Sequence, residues 1–270
     1  ERLIAQAEHM AEQGVKELIL VAQETTMYGT DLYGKKTLHL LMKELCKIKG
    51  IRWIRVLYCY PEEIYDELIQ VMKEEKKICH YLDLPIQHAS DRILKRMGRR
   101  TTRAQLTATI EKLRKEIPDI VFRTTLITGF PGETEEDHQE LMEFVDEMEF
   151  DRLGAFTYSP EEGTPAETME DQIPEEIKEE RRDEIMELQQ EISLEKGNDR
   201  IGQELLVMIE GKVSGESAYI ARTYGDAPKV DGYIFVQTGE LLMTGDFAKV
   251  RVTGALEYDL IGELADEYTE

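Results

Sequence analysis

Short strand patterns alternate with helical patterns through most of the sequence, and this alternation limits the possible folds more than any other feature. The predicted strands are Glu17–Ala22, Ile51–Tyr58, Tyr81–Ile86, Ile120–Ile127 and Arg152–Tyr158. The predicted helices are Arg2–Gln13, Leu38–Ile48, Ile64–Lys73, Asp91–Met97, Leu106–Ile117, Thr134–Phe150 and Glu175–Lys196, with a loop at Thr25–Lys36. Such alternation with short connections is typical of a parallel sheet with crossover helices. We therefore predict an α/β domain.

The pattern changes after Gly197 and Asn198. The remaining apolar runs are short, alternate in polarity and are separated by Gly, Asp and Pro turns. They are Glu204–Val213, Ala218–Arg222, Gly232–Gln237, Phe247–Ala255 and Tyr258–Glu263. This pattern predicts a small all-β barrel. The expected domains are residues 1–198 and 199–270.

Composition narrows the possible partners and the compartment. The formal net charge of −23 argues against nucleic acid as a general partner, because phosphate binding needs clustered Lys and Arg. The acidity favours a basic protein partner, or serves solubility alone. No apolar run approaches the roughly 20 residues of a membrane span, and no signal peptide is visible. Cys46, Cys59 and Cys79 lie far apart without metal-ligand spacing, which indicates buried thiols in a reducing cytoplasm.

A glycine-rich corner follows the central strand. The run Ile120–Ile127 is interrupted at Gly129, Pro131 and Gly132 before the next helix begins at Thr134. Glycines at such a corner allow a ligand to approach the main chain, because no Cβ stands in the way. Alternatively, the corner needs small residues only for its own packing.

Polar residues gather where the predicted strands end, which is where ligands bind in parallel α/β folds. These residues are Gln23, Glu24, Tyr58, Gln87, His88, Ser90, Thr128, Gly129, Glu133, Tyr158 and Ser159. His88 fits either a general base or a structural histidine with satisfied hydrogen bonds. Glu24 and Glu133 fit either the binding of an amine or ribose diol, or the capping of a helix.

A basic cluster follows the third strand. Its members are Lys95, Arg96, Arg99, Arg100 and Arg103. Clustered guanidinium groups can receive a carboxylate or a phosphate. A solvated helix end would have the same composition.

Four segments resemble the radical S-adenosylmethionine (radical SAM) methylthiotransferases. They are Val21–Tyr33, Tyr81–Asp91, Thr124–Thr134 and Phe156–Pro165. The resemblance runs nearly from end to end. It implies a partial (β/α) TIM-like barrel of the radical SAM type, followed by a small all-β TRAM barrel.

The family has two competing branches. One branch (RimO-like) methylthiolates the β-carbon of an aspartate in the twelfth small-subunit ribosomal protein, and the other (MiaB-like) modifies tRNA. Segment Ala221–Gly232 resembles the first branch. Residues 200–270 also hold six basic residues against thirteen acidic ones, which favours a basic protein over RNA. We therefore expect a basic ribosomal protein as substrate, free or within the ribosome, with tRNA as the alternative.

The resemblance also implies cofactors and binding residues. The cofactors would be S-adenosylmethionine and [4Fe–4S] clusters, with an electron donor to start the reaction. Gln23 and Glu24 would contact the methionine moiety. The ribose or the carboxylate would be bound by Gln87, Ser90 and Arg123. Adenine would be flanked by Thr128, Gly129, Phe130, Pro131 and Gly132.

Two departures from the family pattern qualify this expectation. Glu24 stands where the pattern Ala-Gln-Asp-Thr-Thr has aspartate. In addition, the three-cysteine loop of the family lies just before the position equivalent to Glu1, so the cluster ligands are expected upstream of it. We therefore expect the present chain to be inactive alone, or to serve as a non-catalytic protein-binding piece.

Overall fold

A computed structural model describes residues 1–265. Five strands form one parallel sheet in sequence order. They are Glu17–Leu20 (β1), Trp53–Val56 (β2), Ile78–Asp83 (β3), Val121–Thr128 (β4) and Arg152–Thr157 (β5). Parallel register joins β3 to β4 at Tyr81 and Val121, and β4 to β5 at Arg123 and Arg152. The α/β prediction is confirmed.

Helices connect the strands and cover one face of the sheet. They are Arg2–Glu12 (α1), Thr30–Tyr33 (α2), Leu38–Cys46 (α3), Asp66–Glu74 (α4), Asp91–Arg96 (α5), Arg103–Glu116 (α6), Glu135–Met148 (α7) and Glu175–Asn198 (α8). Reciprocal capping boxes start two of them, Thr102 with Gln105 in α6 and Thr134 with Asp137 in α7. Each box satisfies backbone N–H groups that the first helical turn leaves without partners.

The segment Thr25–Lys36, which we predicted as a loop, is partly helical. A 3-10 turn covers Thr25–Met27, and the short helix α2 follows. The glycines on either side of α2, Gly29 and Gly34, both have positive φ angles. This conformation suits glycine, so the sequence pattern of a loop also permits a short helix between two such residues.

Five further strands form a closed barrel. They are Glu204–Lys212 (β6), Ala218–Thr223 (β7), Ile234–Gln237 (β8), Phe247–Ala255 (β9) and Leu260–Leu264 (β10), in the order β10-β8-β7-β6-β9. The other neighbouring pairs are antiparallel, whereas β8 and β10 run parallel. The predicted barrel is thereby confirmed. The division between residues 1–198 and 199–270 falls between α8 and β6 and stays a prediction.

The barrel packs on the sheet face that the helices leave uncovered. Alternate residues of a strand point to opposite faces. Phe122 and Leu126 of β4 lie in the main core with the helices, whereas Val121 contacts a smaller apolar cluster shared with the barrel. Trp53 belongs to this shared cluster and meets Phe247 of β9 edge to face, with ring centres 4.9 Å apart.

A layer of buried charges lies next to the shared cluster. Glu17 of β1 receives hydrogen bonds from Arg55 of β2 at 2.8 Å and from Arg222 of β7 at 2.6 Å. Arg152 of β5 pairs with Asp226 of the barrel at 2.5 Å. Burial alone would raise the pKa of Asp226, but Arg152 and a hydrogen bond from Thr223 hold it below its usual value. Buried ions are tolerated only when they are paired, so these bonds fix the barrel against the sheet.

No described helix combines the length and the apolar character that a membrane crossing requires.

Candidate active site

A cavity of about 430 Å³ lies at the carboxyl ends of β3, β4 and β5. Its lining residues are Gln87, Met97, Arg99, Thr125, Ile127, Phe130, Phe156, Thr157, Tyr158 and Ser159. The alternation of β4 explains its position. Val121, Arg123, Thr125 and Ile127 share one face of the strand, so this face passes from the barrel contact through the charged layer to the cavity.

Gln87 reaches the cavity because the backbone changes direction after β3. Its φ angle is +71°, a value unusual for a residue with a side chain. Its N–H donates to the carbonyl of Thr125 at 3.0 Å, and its carbonyl accepts from the N–H of Ile127 at 2.8 Å. These two bonds hold Gln87 against β4. Of the predicted cofactor-binding residues, Gln87 and Phe130 line this cavity.

The glycine corner after β4 is covered by side chains of the protein. A Cβ atom on Gly129 would lie 2.1 Å from Cγ of Lys178, and one on Gly132 would lie 2.8 Å from Cζ of Arg96. The amide of Gly132 donates to the carbonyl of Asp171 at 2.7 Å. The structure therefore favours the alternative interpretation, in which the corner needs small residues for its own packing. The glycines make room for Lys178 and Arg96.

Two aromatic rings form a wall of the cavity. Phe130 is buried and meets Tyr158 edge to face, with ring centres 5.2 Å apart. The hydroxyl oxygen of Tyr158 is buried and has no hydrogen-bond partner among residues 1–265. Phe156, on the neighbouring strand, exposes 58% of its surface. An aromatic surface at the mouth of a cavity is thus left open to a planar ligand.

Glu133 holds the corner together from inside. Its carboxylate is fully buried, accepts from the N–H of Gly129 at 2.8 Å and pairs with Arg181 of α8 at 3.0 Å. His88 is also fully buried: its Nδ1 accepts from the N–H of Ser90 at 2.9 Å, and its Nε2 lies 3.5 Å from Glu133. Both residues lie outside the set that lines the cavity. The structure favours the structural interpretation of each.

Other predicted binding residues are engaged in contacts within the protein. The Ser90 hydroxyl donates to Asp137 at 2.6 Å, and Arg123 donates to Asp83 at 2.8 Å. The Thr128 hydroxyl donates to the carbonyl of Lys178 at 3.0 Å. The structure does not bring these side chains to the lining of the cavity, nor does it bring Gly129, Pro131 or Gly132 there.

Glu24 lies at a second cavity. This cavity, of about 440 Å³, is bounded by α1, α3 and the free edge of β1. The Glu24 carboxylate accepts from the N–H groups of Thr26 at 3.0 Å and of Tyr60 at 2.9 Å, so it caps the 3-10 turn. Burial raises the pKa of Glu24 despite these hydrogen bonds. Gln23 is exposed beside it.

The basic cluster divides into members with different contacts. Arg96 donates to the carbonyl of Pro131 at 2.9 Å, and Arg103 pairs with Glu147 at 2.9 Å. Lys95 and Arg100 are exposed, in agreement with a solvated helix end. Arg99 lines the cavity, in agreement with a binding role.

Sequence reasoning missed Lys178 and Arg181, which pack on the corner from α8. They belong to a buried helical stripe that continues through Ile185, Gln189 and Ile192. The spacing of three or four residues was visible in the sequence, but it predicts a buried face only when the residues are apolar. Thr125 and Phe156 were also missed as lining residues, although the period of two in their strands could have placed them.

The cavity fits the nucleoside part of S-adenosylmethionine. It offers aromatic surface together with amide, hydroxyl and guanidinium groups. The described residues do not offer a comparable site for an iron–sulfur cluster. No group of three His, Cys, Asp or Glu side chains among residues 1–265 could hold a metal ion. Burial raises the pKa of Cys46 to about 11 and that of Cys79 to about 12, which disfavours the thiolates that iron requires.

Comparisons with known proteins agree with this architecture. The Radical SAM superfamily model matches residues 1–145, and the TRAM domain model matches residues 201–265. The ribosomal protein uS12 methylthiotransferase RimO of Lachnoclostridium phytofermentans is 63% identical over 262 residues, which cover 97% of this chain and 60% of that protein. The protein of the same name from Clostridium perfringens is 54% identical, over 99% of this chain and 59% of that protein.

The chain thus spans about three fifths of the length of these curated relatives. Among solved structures, archaeal Methanocaldococcus infernus Elp3 with an N-terminal deletion is similar with a TM-score of 0.48 and 17% identity, over 69% of this chain and 49% of that one. The parallel sheet, its cavity and the matched family model lead to one conclusion. This chain belongs to the radical SAM superfamily and carries a TRAM domain after its α/β part.

Proposed function

We propose that this chain is the catalytic and TRAM part of a methylthiotransferase that adds a methylthio group to the β-carbon of an aspartate in ribosomal protein uS12. One observation carries the proposal. The chain is 63% identical over 97% of its length to a protein named as a uS12 methylthiotransferase. The cavity at the carboxyl ends of the strands supports it, because ligands bind there in parallel α/β folds.

The residues of the cavity bind and orient the cofactor. Bound S-adenosylmethionine supplies radical chemistry that no side chain of the protein can provide. The rings of Phe130 and Tyr158 pack against the adenine, and Gln87 hydrogen-bonds the nucleoside. Because these groups are held by β4 and by the corner after it, they restrict the orientation of the cofactor before the substrate enters.

The remaining predicted binding residues lie outside the lining of the cavity and hold the segments that form it. Glu133, Lys178 and Arg181 hold the corner formed by Thr128, Gly129, Pro131 and Gly132. Ser90 fixes the start of α7, and Arg123 joins the cavity to the charged layer. Gln23 and Glu24 lie beside the free edge of β1, where they serve the methionine end of the cofactor. The ligands of the [4Fe–4S] cluster come from residues upstream of Glu1.

The charge of the barrel supports a protein substrate. Residues 200–270 hold thirteen acidic and six basic residues, and two of the basic ones, Arg222 and Arg251, pair with acidic neighbours. An acidic surface attracts a basic ribosomal protein and repels the tRNA backbone. The enzyme acts in the cytoplasm, where it meets uS12 free or within the ribosome and receives its electron from a separate donor.

Mass spectrometry tests this function directly. The full-length gene product is reconstituted anaerobically with iron and sulfide, and is given S-adenosylmethionine and a reductant with either uS12 or tRNA. We expect a methylthio addition on the uS12 aspartate alone, and none on a uS12 variant with asparagine at that position. Modification of tRNA alone would overturn the substrate assignment. Cleavage of the cofactor without modification of either substrate would also overturn it.

A further inference from the structure

Arg99 differs from three nearby arginines in its surroundings. Arg92 pairs with Asp137, Arg96 lies 3.7 Å from Asp171, and Arg103 pairs with Glu147. Arg99 has no carboxylate partner among residues 1–265, although the chain holds 56 acidic residues. It is also the one charged side chain among the described residues that line the 430 Å³ cavity.

Two contacts hold the Arg99 side chain in place. One terminal nitrogen donates to the carbonyl of Pro85, and the guanidinium lies 4.5 Å from the ring centre of Tyr60. The Nε atom is buried and has no hydrogen-bond partner in the described chain. A buried N–H donor without a partner costs free energy. A ligand that accepted a hydrogen bond from this donor would remove that cost, and the bond would strengthen binding.

We propose that Arg99 binds a carboxylate of a ligand inside this cavity. A guanidinium group suits a carboxylate because its planar donors match the two oxygens. Tyr158, whose buried hydroxyl also lacks a partner in the described chain, lines the same cavity. The proposal rests on the proposed function, in which two molecules bring a carboxylate to the site. They are S-adenosylmethionine with its α-carboxylate and the substrate with its aspartate side chain.

The test uses the reconstituted full-length protein and variants Arg99→Gln and Arg99→Lys. Arg100→Gln is the matched control, since Arg100 is adjacent and exposed. Equilibrium dialysis measures the binding of S-adenosylmethionine and of its decarboxylated analogue. If the cofactor provides the carboxylate, Arg99→Gln weakens binding of S-adenosylmethionine about tenfold or more and leaves the analogue unchanged. Arg99→Lys keeps the charge but not the planar geometry, so its loss is smaller.

A second arm measures binding of uS12 peptides with aspartate or asparagine at the target position. If the substrate provides the carboxylate, the wild-type preference for aspartate falls about tenfold or more in Arg99→Gln, while cofactor binding is unchanged. The proposal would be overturned if Arg99→Gln bound S-adenosylmethionine, its decarboxylated analogue and both peptides with the same affinities as the wild-type protein. Thermal unfolding confirms that each variant is folded, and Arg99→Lys replaces Arg99→Gln if the latter is not. The dialysis experiment does not depend on methylthio transfer. A failure of the proposed function in the mass-spectrometry test can therefore be distinguished from a failure of the Arg99 proposal.

Discussion

The sheet face without helices has two ends that differ in how their buried polar groups are paired. At the end closed by the barrel, Arg222 is buried and bonded to Glu17 and Glu210, and Arg152 is bonded to Asp226. At the open end, the Nε of Arg99 and the hydroxyl of Tyr158 are buried without partners in the described chain. The charged groups of the closed end are mostly paired with one another, although Nη2 of Arg55 there is also buried without a partner in the described chain. The residues with unpartnered donors at the open end line the cavity.

The largest difference between the two ends should come from their aromatic side chains. Trp53 at the closed end exposes 6% of its surface, and Phe156 at the open end exposes 58%. We expect Trp53→Ala to lower the free energy of unfolding by about 4 kcal/mol, because it leaves a cavity in the shared cluster. Phe156→Ala should change it by less than about 0.5 kcal/mol. Urea unfolding of both variants measures this difference, and equal effects would contradict the comparison.

Removal of Arg222 tests how much the buried ion pairs of the closed end contribute to stability. Arg222→Ala leaves Glu17 and Glu210 with one cation fewer, and we expect a loss of about 3 kcal/mol in the free energy of unfolding. Lys73→Ala is the control, because the pair of Lys73 and Glu116 is solvent-exposed. Its loss should stay below about 1 kcal/mol. A control loss as large as that of Arg222→Ala would show that burial of the network contributes nothing.

Gly129 tests whether the corner beside the cavity is filled by protein. Gly129→Ala must accept a φ angle of +70° and a Cβ atom 2.1 Å from Lys178. Gly163 has a φ angle of +81°, but open space surrounds its added Cβ. We expect a loss of about 1 kcal/mol in Gly163→Ala from the backbone alone, and about 2 kcal/mol in Gly129→Ala. Thermal unfolding compares the two variants. Equal losses would mean that Lys178 moves away without cost.

The smallest expected effect is a pH dependence at the start of α7. Burial alone would raise the pKa of Asp137, but hydrogen bonds from Arg92, Ser90 and Thr134 lower it well below its usual value. A carboxyl group with a lowered folded-state pKa stabilises the protein above its unfolded pKa of about 3.9. This contribution disappears as the pH falls through the folded value.

Asp137→Asn should therefore flatten the fall of unfolding free energy below about pH 4. Asp146→Asn, at an exposed position of the same helix, should leave the slope unchanged. Urea unfolding at several pH values measures both slopes. Identical slopes in wild type and Asp137→Asn would show that Asp137 does not contribute.

Much of the fold was predictable because the sheet and the barrel have different periods in sequence. The strand alternation placed all five parallel strands, and the change after Asn198 placed the barrel. The place of Gln87 at the cavity was predictable because this residue directly follows the predicted strand Tyr81–Ile86. The contents of the glycine corner were not predictable, because Lys178 is distant in sequence and belongs to a helix whose buried stripe is partly polar. The separation of Arg99 from Arg100 also needed the structure, because adjacent basic residues look alike in sequence.

The charged layer between sheet and barrel has a consequence for protein engineering. Two of its ion pairs join the two parts: Glu17 of the sheet pairs with Arg222 of the barrel, and Arg152 of the sheet pairs with Asp226 of the barrel. A barrel transplanted from another protein would bury unmatched charges unless it supplied the same groups at the same positions. Chimeras between relatives should therefore exchange sheet and barrel together, or carry the complementary residues across the junction as a set.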